Sequence, residues 1–290
     1  MDTIITAINW NVDPEIFSLG VLHIRWYGLL FATGFLLAYE LSARMFRFEG
    51  LKQEWVDSAV LFIFVGTLVG ARLGHVFFYS WDHYSQNLGD ILKIWEGGLA
   101  SHGALIGIVL ALWIYSRKVS KQSVIWILDR AVVGTALAAV FIRTGNLMNS
   151  EIFGIPTTLP WGFIFEQAAE VEPRHPTQIY EALAYLLTFA TLVYLYFKTD
   201  ARKRLGLLLG VFFVMIFLAR FLIEFIKENQ SGFEADLPIN MGQILSIPVV
   251  IIGVLLIIRA LKKPPVEFNI PKEKPQQAPK KTGKKKKWNK

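Results

Sequence analysis

The run GLLLGVFFVMIFLARFLIEFI, residues 206–226, is apolar except for Arg220 and Glu224. An α-helix needs roughly 20 such residues to cross the hydrocarbon core of a bilayer. Six further runs of similar length and composition lie along the chain, at 19–41, 56–79, 98–116, 124–143, 177–197 and 240–261. The sequence therefore predicts an all-α polytopic membrane protein with seven transmembrane helices.

The overall composition agrees with this fold class. Of the 290 residues, 53% are hydrophobic and 18% are charged, whereas a soluble domain carries about a quarter charged residues. The absence of cysteine excludes disulfides, thiolate metal sites and a cysteine nucleophile of the protein's own. Residues 1–18 contain no basic residue and do not resemble a cleavable signal peptide, so the first helix is expected to stay in the membrane.

The basic residues predict the orientation of the helices. The connections after the first, third and fifth runs and the C-terminal end carry 22 of the 30 Lys and Arg residues, whereas the opposite connections carry three. Because basic loops stay in the cytoplasm, the N-terminus is expected outside and the C-terminus in the cytoplasm. The alternation also supports seven spans, since a missed helix would reverse it.

The C-terminal segment 264–290 differs from the rest of the chain. It is rich in proline and lysine and has almost no core-forming residues, which is typical of disorder. We therefore expect a transmembrane catalytic domain at 1–263 and a disordered Lys-rich cytoplasmic tail at 264–290. The tail explains the basic charge, so no nucleic-acid partner is expected. The tail is expected either to be solvated in the cytoplasm or to be weakly attracted to anionic lipid of the inner leaflet.

Each predicted helix carries polar residues toward its outer end. A rise of ~1.5 Å per residue places them at similar depth. They are Arg25, Tyr27, Arg72, His75, His102, Arg143, Gln178, Tyr180, Glu181, Arg220, Glu224, Asn240 and Gln243. Polar groups are costly inside a membrane, so this asymmetric layer indicates a functional site near the outer face.

Three arginines in the layer indicate an anionic ligand. Arg72, Arg143 and Arg220 can each bind a phosphate through two parallel hydrogen bonds. Nearby carboxylates that could orient these arginines are Glu151, Glu181 and Glu224. A phosphate beside an apolar interior suggests a phospholipid headgroup. The alternative is a set of inter-helix ion pairs without a ligand.

His102 is a candidate general base in the same layer, because histidine exchanges protons near neutral pH. A packing histidine with a hydrogen-bonded ring is the alternative. Several glycines surround it and would allow close approach of a ligand or a helix. They are Gly97, Gly98, Gly103 and Gly107. His and carboxylate spacing shows no metal motif, so no metal is expected.

The longest motif follows the fourth predicted helix and reads RTGNLMNSEIFG, residues 143–154. It resembles the signature G-R-x-G-N-F-x-N-x-E-x-x-G of the prolipoprotein diacylglyceryl transferases, with Ile142 and Leu147 in place of the first Gly and the Phe. Six shorter stretches resemble the same family in the same order: RWYG (25–28), GARLG (70–74), GGLASHGALIG (97–107), RHPTQIYE (174–181), RFLIEF (220–225) and NMGQILSIP (240–248). Ile216 stands where some members have tyrosine, so no role of that tyrosine is carried over.

The resemblance implies a lipid-transfer reaction. Members of the family move the diacylglyceryl group of phosphatidylglycerol to the lipobox cysteine thiol of a preprolipoprotein, which forms a thioether and releases glycerol-1-phosphate. The expected partners are phosphatidylglycerol, lipobox-containing preprolipoproteins and the bilayer. No cofactor is expected. The expected location is the bacterial cytoplasmic (inner) membrane, with the active site toward the outer (periplasmic) leaflet.

The resemblance also implies roles for individual residues. The expected catalytic residues are Tyr27, His102, Arg143 and Arg220, and the expected phosphatidylglycerol-binding residues are Arg72, Arg143, Asn146, Glu151, Gly154, Arg220 and Glu224. Arg143 and Arg220, which are expected both in catalysis and in binding, would hold the phosphate. His102 would take the thiol proton, although Tyr27 or a headgroup oxygen could do so instead. Further roles are orientation of the headgroup or thiol by Tyr27 and Asn146, support of the arginines by Glu151 and Glu224, and a tight turn at Gly154.

Other classes of protein remain as alternatives. A transporter or scramblase of anionic lipid should have inverted repeats and polar groups at mid-membrane, and the sequence shows neither. A structural or chaperone membrane protein would not need seven convergent polar helix ends. A different phospholipid-headgroup transferase would share the physical features, and only the motifs exclude it.

Overall fold

The computed structural model describes residues 7–20, 22–94, 97–228 and 239–267. Within these ranges, seven helices are long and apolar enough to cross a membrane. In chain order the helices are α1 (Trp26–Glu49), α2 (Gln53–Tyr79), the single turn α3 (Trp81–Tyr84), α4 (Ser101–Tyr115), α5 (Val124–Met148), α6 (Thr177–Lys198), α7 (Leu207–Ile223) and α8 (Met241–Lys262). The predicted fold class and number of spans are confirmed: this is a multi-pass membrane protein.

The first helix begins and ends later than predicted. The start of the predicted span 19–41 is a hairpin of β2 (Glu15–Leu19) and β3 (Leu22–Arg25), which turns at Gly20 with a φ of +62°. Glycine adopts this left-handed conformation without steric cost. Helix α1 continues to Glu49 because its buried positions recur at helical spacing, while Arg44 and Arg47 lie on its exposed face.

Helix α5 is the most buried of the long helices and packs against α1, α6 and α7. Its Val133 joins Leu192 of α6 and Leu208 of α7 in the main core cluster. The outward faces of the bundle are apolar, with Leu36 67% exposed and Phe78 75% exposed. A helix that is apolar on its exposed face as well as its packed face is suited to lipid rather than water.

Helices α2 and α4 are in backbone contact. A Cβ atom at Gly70 would lie 2.3 Å from the carbonyl oxygen of Gly103, and one at Gly107 would lie 2.0 Å from that of Gly66. Small residues four apart on two helices allow this close approach in membranes. The contact fixes the start of α4, where His102 lies.

The two ends of α5 are held by different segments. Near its start, the Asp129 carboxylate accepts hydrogen bonds from the backbone N–H groups of Gly206 and Leu209, and so caps α7. Near its end, the Trp10 indole donates to the carbonyl of Leu147. Trp10 ends β1 (Ile8–Trp10), which pairs in parallel with β4 (Phe163–Phe165). The polar residues of α5 and α7 are thereby placed by contacts at both ends of the bundle.

Candidate active site

Arg143 projects from the last turns of α5 toward α6. Its Nε lies 2.8 Å from Oε2 of Glu181, and its Nη1 donates a 3.2 Å hydrogen bond to Oδ1 of Asn146. The Tyr185 ring centroid lies 5.9 Å from its Cζ. The guanidinium is thus held on its Nε side by an ion pair and at Nη1 by a hydrogen bond.

Lys227 links this pair to the end of α7. Its Nζ lies 3.3 Å from Oε1 of Glu181 and 3.8 Å from Oε2 of Glu224. The lysine and both carboxylates are buried. Oε2 of Glu224 in turn lies 3.9 Å from Nε of Arg220. We call these groups the five-charge row, which consists in order of Arg143, Glu181, Lys227, Glu224 and Arg220.

Of the three cations in the row, Arg220 makes the weakest contacts with other residues. Its side chain is 37% exposed, and it makes no hydrogen bond with another residue of the described ranges. Its distance to Glu224 is too long for a hydrogen bond. The carboxyl group of Glu224 packs directly on the α carbon of Gly242, where a Cβ atom would lie 2.5 Å from Cδ. Helix α8 thus supports Glu224 and leaves the guanidinium of Arg220 open.

Glu151 orients Asn146 rather than an arginine. Its Oε1 accepts hydrogen bonds from the side-chain amides of Asn146 at 2.8 Å and of Asn149 at 3.3 Å. The expectation that Glu151 pairs with an arginine is therefore corrected. Since Asn146 accepts from Arg143, Glu151 acts on the arginine through an amide, and the carboxylate that pairs with Arg143 is Glu181.

The turn after α5 is made by residues other than Gly154. Ser150 and Ile152 have φ values of 51° and 61°, in the left-handed region. This conformation is especially unusual for Ile152, because its side chain is β-branched. Gln178 and Thr177 hold this turn by donating to the carbonyls of Glu151 and Ile152. Such strained backbone persists where the surroundings over-determine it, and it clusters at functional sites.

Gly154 serves close approach instead of a turn, because its φ is not in the left-handed region. A Cβ atom there would lie 2.3 Å from the carbonyl oxygen of Ile226 and 2.8 Å from Cβ of His175. Its N–H donates to the carbonyl of His175 at 2.8 Å. Gly154 thus allows the segment after α5 to contact the residue before Lys227.

His175 packs against Gly154 and is itself held by a tyrosine. Its Nδ1 lies 3.2 Å from the hydroxyl of Tyr180, which also accepts a hydrogen bond from the Trp161 indole. Burial lowers the pKa of His175. The lowered pKa favours the neutral imidazole at neutral pH.

Tyr27 reaches the same end of the bundle from α1. A Cβ atom at Gly145 would lie 2.8 Å from Cδ2 of Tyr27, so the ring packs on the backbone of α5 between Arg143 and Asn146 in sequence. The ring also stacks on Phe31, one turn further along α1. Tyr27 therefore borders the Arg143 side of the site.

Arg72 is held by backbone and is not part of the five-charge row. Its five N–H donors bind the carbonyl oxygens of the loop that precedes α4, and its guanidinium stacks on Tyr84 at 5.0 Å. The acceptors are Asp90, Ile91, Lys93, Gly97 and Gly98. With all donors used and only 4% of the residue exposed, Arg72 has none left for a phosphate. The predicted phosphate role of Arg72 is replaced by a loop-holding role.

His102 lies in the first turn of α4 and is exposed. It forms no hydrogen bond or ion pair with another residue in the described part of the chain. The structure thus neither orients the ring as a packing histidine nor joins it to the arginines. Its role as a base remains a prediction.

Two residues of the site were missed in the sequence. In the sequence, Lys227 is one of the three basic residues of the outer connections, together with Lys93 and Arg174, and no motif indicates Tyr185. The spacing of three between Glu224 and Lys227 was the available signal, since residues three apart share a helix face. No local pattern indicates that Lys227 is buried, because its partner Glu181 is 46 residues away. In the described ranges no cluster of three or more metal-ligating side chains is found.

The comparison with protein families decides the class. The family described as prolipoprotein diacylglyceryl transferase matches residues 14–259. The chain belongs to this family. The resemblance predicted from the motifs is confirmed, and the matched range includes every residue of the five-charge row.

Individual relatives are similar over nearly their whole length. The phosphatidylglycerol–prolipoprotein diacylglyceryl transferase of Porphyromonas gingivalis is 51% identical over 276 residues, which cover 90% of this chain and 98% of the relative. The proteins of the same name from Chloroherpeton thalassium and Tolumonas auensis are each 46% identical, and cover 92% and 88% of this chain. The similarity therefore extends over the whole transmembrane bundle.

Proposed function

We propose that this protein transfers the diacylglyceryl group of phosphatidylglycerol to the cysteine thiol of a prolipoprotein lipobox. The thiol sulfur attacks the glyceryl carbon, the C–O bond to phosphate breaks, and glycerol-1-phosphate leaves while a thioether forms. The observation that carries the proposal is the pair of arginines at the ends of the five-charge row, in a chain that belongs to this transferase family. The names of its relatives give the same two substrates.

The arginines suit the leaving group. Negative charge grows on the phosphate oxygen as the C–O bond breaks, and fixed guanidinium donors stabilise such charge in a site that excludes water. Arg220 is open to a ligand, and Arg143 is oriented by Glu181 and Asn146. The phosphate would bind between these two side chains.

The thiol proton needs an acceptor, and the proposed base is His102. Tyr27 or an oxygen of the headgroup is the alternative, since Tyr27 packs directly beside the Arg143 segment. Asn146, whose amide is fixed by Glu151, would orient the headgroup by hydrogen bonds. The nucleophile comes from the substrate, in agreement with a chain that has no cysteine.

An apolar cleft supports a lipid substrate. It has a volume of about 360 Å³, lies between α1, α2, α4 and α5, and includes Phe31 and Phe35 of α1 and Ile142 of α5. Phe31 stacks on Tyr27, and Ile142 precedes Arg143, so the cleft adjoins the polar site. Acyl chains could lie there while the headgroup binds the arginines.

We further propose that the site faces the outer leaflet of the bacterial inner membrane. The basic connections support this orientation, because they lie at the end of the bundle opposite the five-charge row. Catalysis is proposed to reside in residues 1–263, with 264–290 as a cytoplasmic tail. Residues 268–290 lie outside the described residues.

The test is a transfer assay with purified protein, phosphatidylglycerol vesicles and a synthetic lipobox peptide. The expected result is a gain in peptide mass equal to one diacylglyceryl group, with one glycerol-1-phosphate released per modified peptide. A peptide with serine in place of the lipobox cysteine is the control and should gain no mass. Release of glycerol-1-phosphate without peptide modification, or modification of the serine peptide, would contradict the proposal.

A further inference from the structure

Lys227 is the central group of the five-charge row, and the proposed reaction gives it no chemical task. Its side chain is 4% exposed, and the side chain of Glu181 is fully buried. A buried ammonium group is costly unless it is paired. Here it is shared by two carboxylates from different elements, at 3.3 Å and 3.8 Å.

The backbone places Lys227 at this point. The residue follows the helical turn Glu224–Ile226, which extends α7, and pairs as an isolated bridge with Gly154. The preceding carbonyl, that of Ile226, accepts a hydrogen bond from the N–H of Ile155. The position of the ammonium group is therefore tied both to α7 and to the segment after α5.

The charges around Lys227 explain why Arg143 and Arg220 are not paired with their carboxylates through two hydrogen bonds each. Each buried carboxylate has two cationic neighbours, an arginine on one side and Lys227 on the other. Without Lys227, Glu181 and Glu224 would each depend on one arginine alone. A buried carboxylate with a single partner favours close bidentate pairing, which would occupy the arginine's terminal nitrogens.

We propose that Lys227 is a positioning residue that keeps Arg143 and Arg220 available for the phosphate of the lipid substrate. This inference rests on the proposed function. It names a residue that acts through Glu181 and Glu224 on the two phosphate-binding side chains and does not itself contact the reacting atoms.

The first test compares Lys227→Met with Lys227→Arg in the transfer assay. The methionine variant should raise the KM for phosphatidylglycerol by about tenfold or more, the worth of one charge-assisted hydrogen bond, because arginine donors are withdrawn from the lipid phosphate. The KM for the lipobox peptide should change little. Lys227→Arg keeps the charge and should restore most of the affinity. Glu228→Gln, at the adjacent half-exposed residue, is the matched control and should behave as wild type.

The second test measures coupling. If Lys227 acts through Glu181, the KM increase of the Lys227→Met/Glu181→Gln double variant should be smaller than the product of the two single increases. Where Lys227→Met folds poorly, the double variant, which also removes a buried carboxylate, is compared with Glu181→Gln alone, and the KM difference should be smaller than the roughly tenfold difference expected in the wild-type background. A KM in Lys227→Met equal to wild type, failure of Lys227→Arg to restore affinity, or multiplicative effects would overturn the inference.

The wild-type protein separates this inference from the proposed function. Phosphatidylglycerol vesicles should raise its thermal unfolding midpoint by binding, whether or not a peptide is present. If wild type transfers no lipid to the peptide, the proposed function fails. The lipid-induced midpoint shift then still decides the role of Lys227: loss of the shift in Lys227→Met and its return in Lys227→Arg support the inference, and an unchanged shift in Lys227→Met contradicts it.

Discussion

Arginines that are predicted at the same depth have different contacts in this protein. Arg143 and Arg220 belong to the five-charge row, whereas Arg72 binds five backbone carbonyls of the loop before α4. The sequence could not distinguish them, because a guanidinium binds a carbonyl and a phosphate with the same donors. The path of the loop before α4 determines which of the two Arg72 binds, and the periodicity of the sequence does not predict that path. The Asn146–Glu151 contact lies within one motif, yet the sequence assigned Glu151 to an arginine, because a carboxylate accepts hydrogen bonds from amides and guanidiniums alike.

Arg72→Lys tests the loop-holding role. An ammonium group has three donors on one atom and cannot reach carbonyls spread over five residues, so at least two would be left unsatisfied. We expect stability to fall by about 2 kcal/mol or more, measured as a lower thermal unfolding midpoint in detergent. The KM for phosphatidylglycerol of the folded fraction should stay close to wild type. The exposed Arg117, changed to Lys, is the control. A large rise in KM at unchanged stability would instead support phosphate binding by Arg72.

Among the elements, the long helices were predictable and the short strands were not. Six of the seven spans agree with the predicted runs within a few residues, because a continuous apolar run has only one stable backbone form in lipid. The first span was misplaced at its start, where β2 and β3 carry apolar residues that hydropathy alone assigns to the helix. The glycine contact between α2 and α4 needed the structure, since it depends on which faces meet.

Gly107→Ala tests the contact between α2 and α4. Alanine normally stabilises a helix by roughly 0.5–1 kcal/mol relative to glycine. At Gly107, however, the added Cβ would lie 2.0 Å from the Gly66 carbonyl, so the helices must separate. We expect a lower thermal unfolding midpoint. Gly28 on α1 has nothing within 4 Å of such a Cβ and provides the matched control, for which alanine should be neutral or stabilising. Equal midpoints for the two variants would disprove the close contact.

At the scale of the whole molecule, part of the layer of polar helix ends predicted from sequence converges, and Arg72 and His102 do not join it. Residues from α5, α6 and α7, together with Lys227, meet in one charged row, although they are separated by up to 84 positions in the chain, from Arg143 to Lys227. The sequence indicated their depth but not which of them touch. Contact partners depend on the rotation of each helix, and hydropathy does not determine rotation when the outward faces are also apolar.

The orientation of the molecule is testable by single-cysteine labelling, because the chain has no cysteine of its own. Gln86 lies in the exposed connection after α3, and Asp200 in the exposed connection between α6 and α7. In intact spheroplasts, Gln86→Cys should react with a membrane-impermeant maleimide. Asp200→Cys should react only after permeabilisation. The reverse pattern would place the five-charge row at the cytoplasmic face and contradict the predicted orientation.

The central claim is that Arg143 and Arg220 bind the phosphate of the leaving group, and Arg220→Lys tests it most directly. Arg220 makes no hydrogen bond with the described part of the protein, so its replacement should leave the fold intact. Lysine keeps the charge but loses the planar fork. The measurement is the rate of diacylglyceryl transfer to a lipobox peptide at saturating phosphatidylglycerol. The variant is first shown to have the same thermal unfolding midpoint as wild type, and Arg117→Lys is the control. The account predicts a fall in kcat of about 10²–10³, the usual cost of removing one oxyanion donor. A turnover within a few-fold of wild type would contradict it.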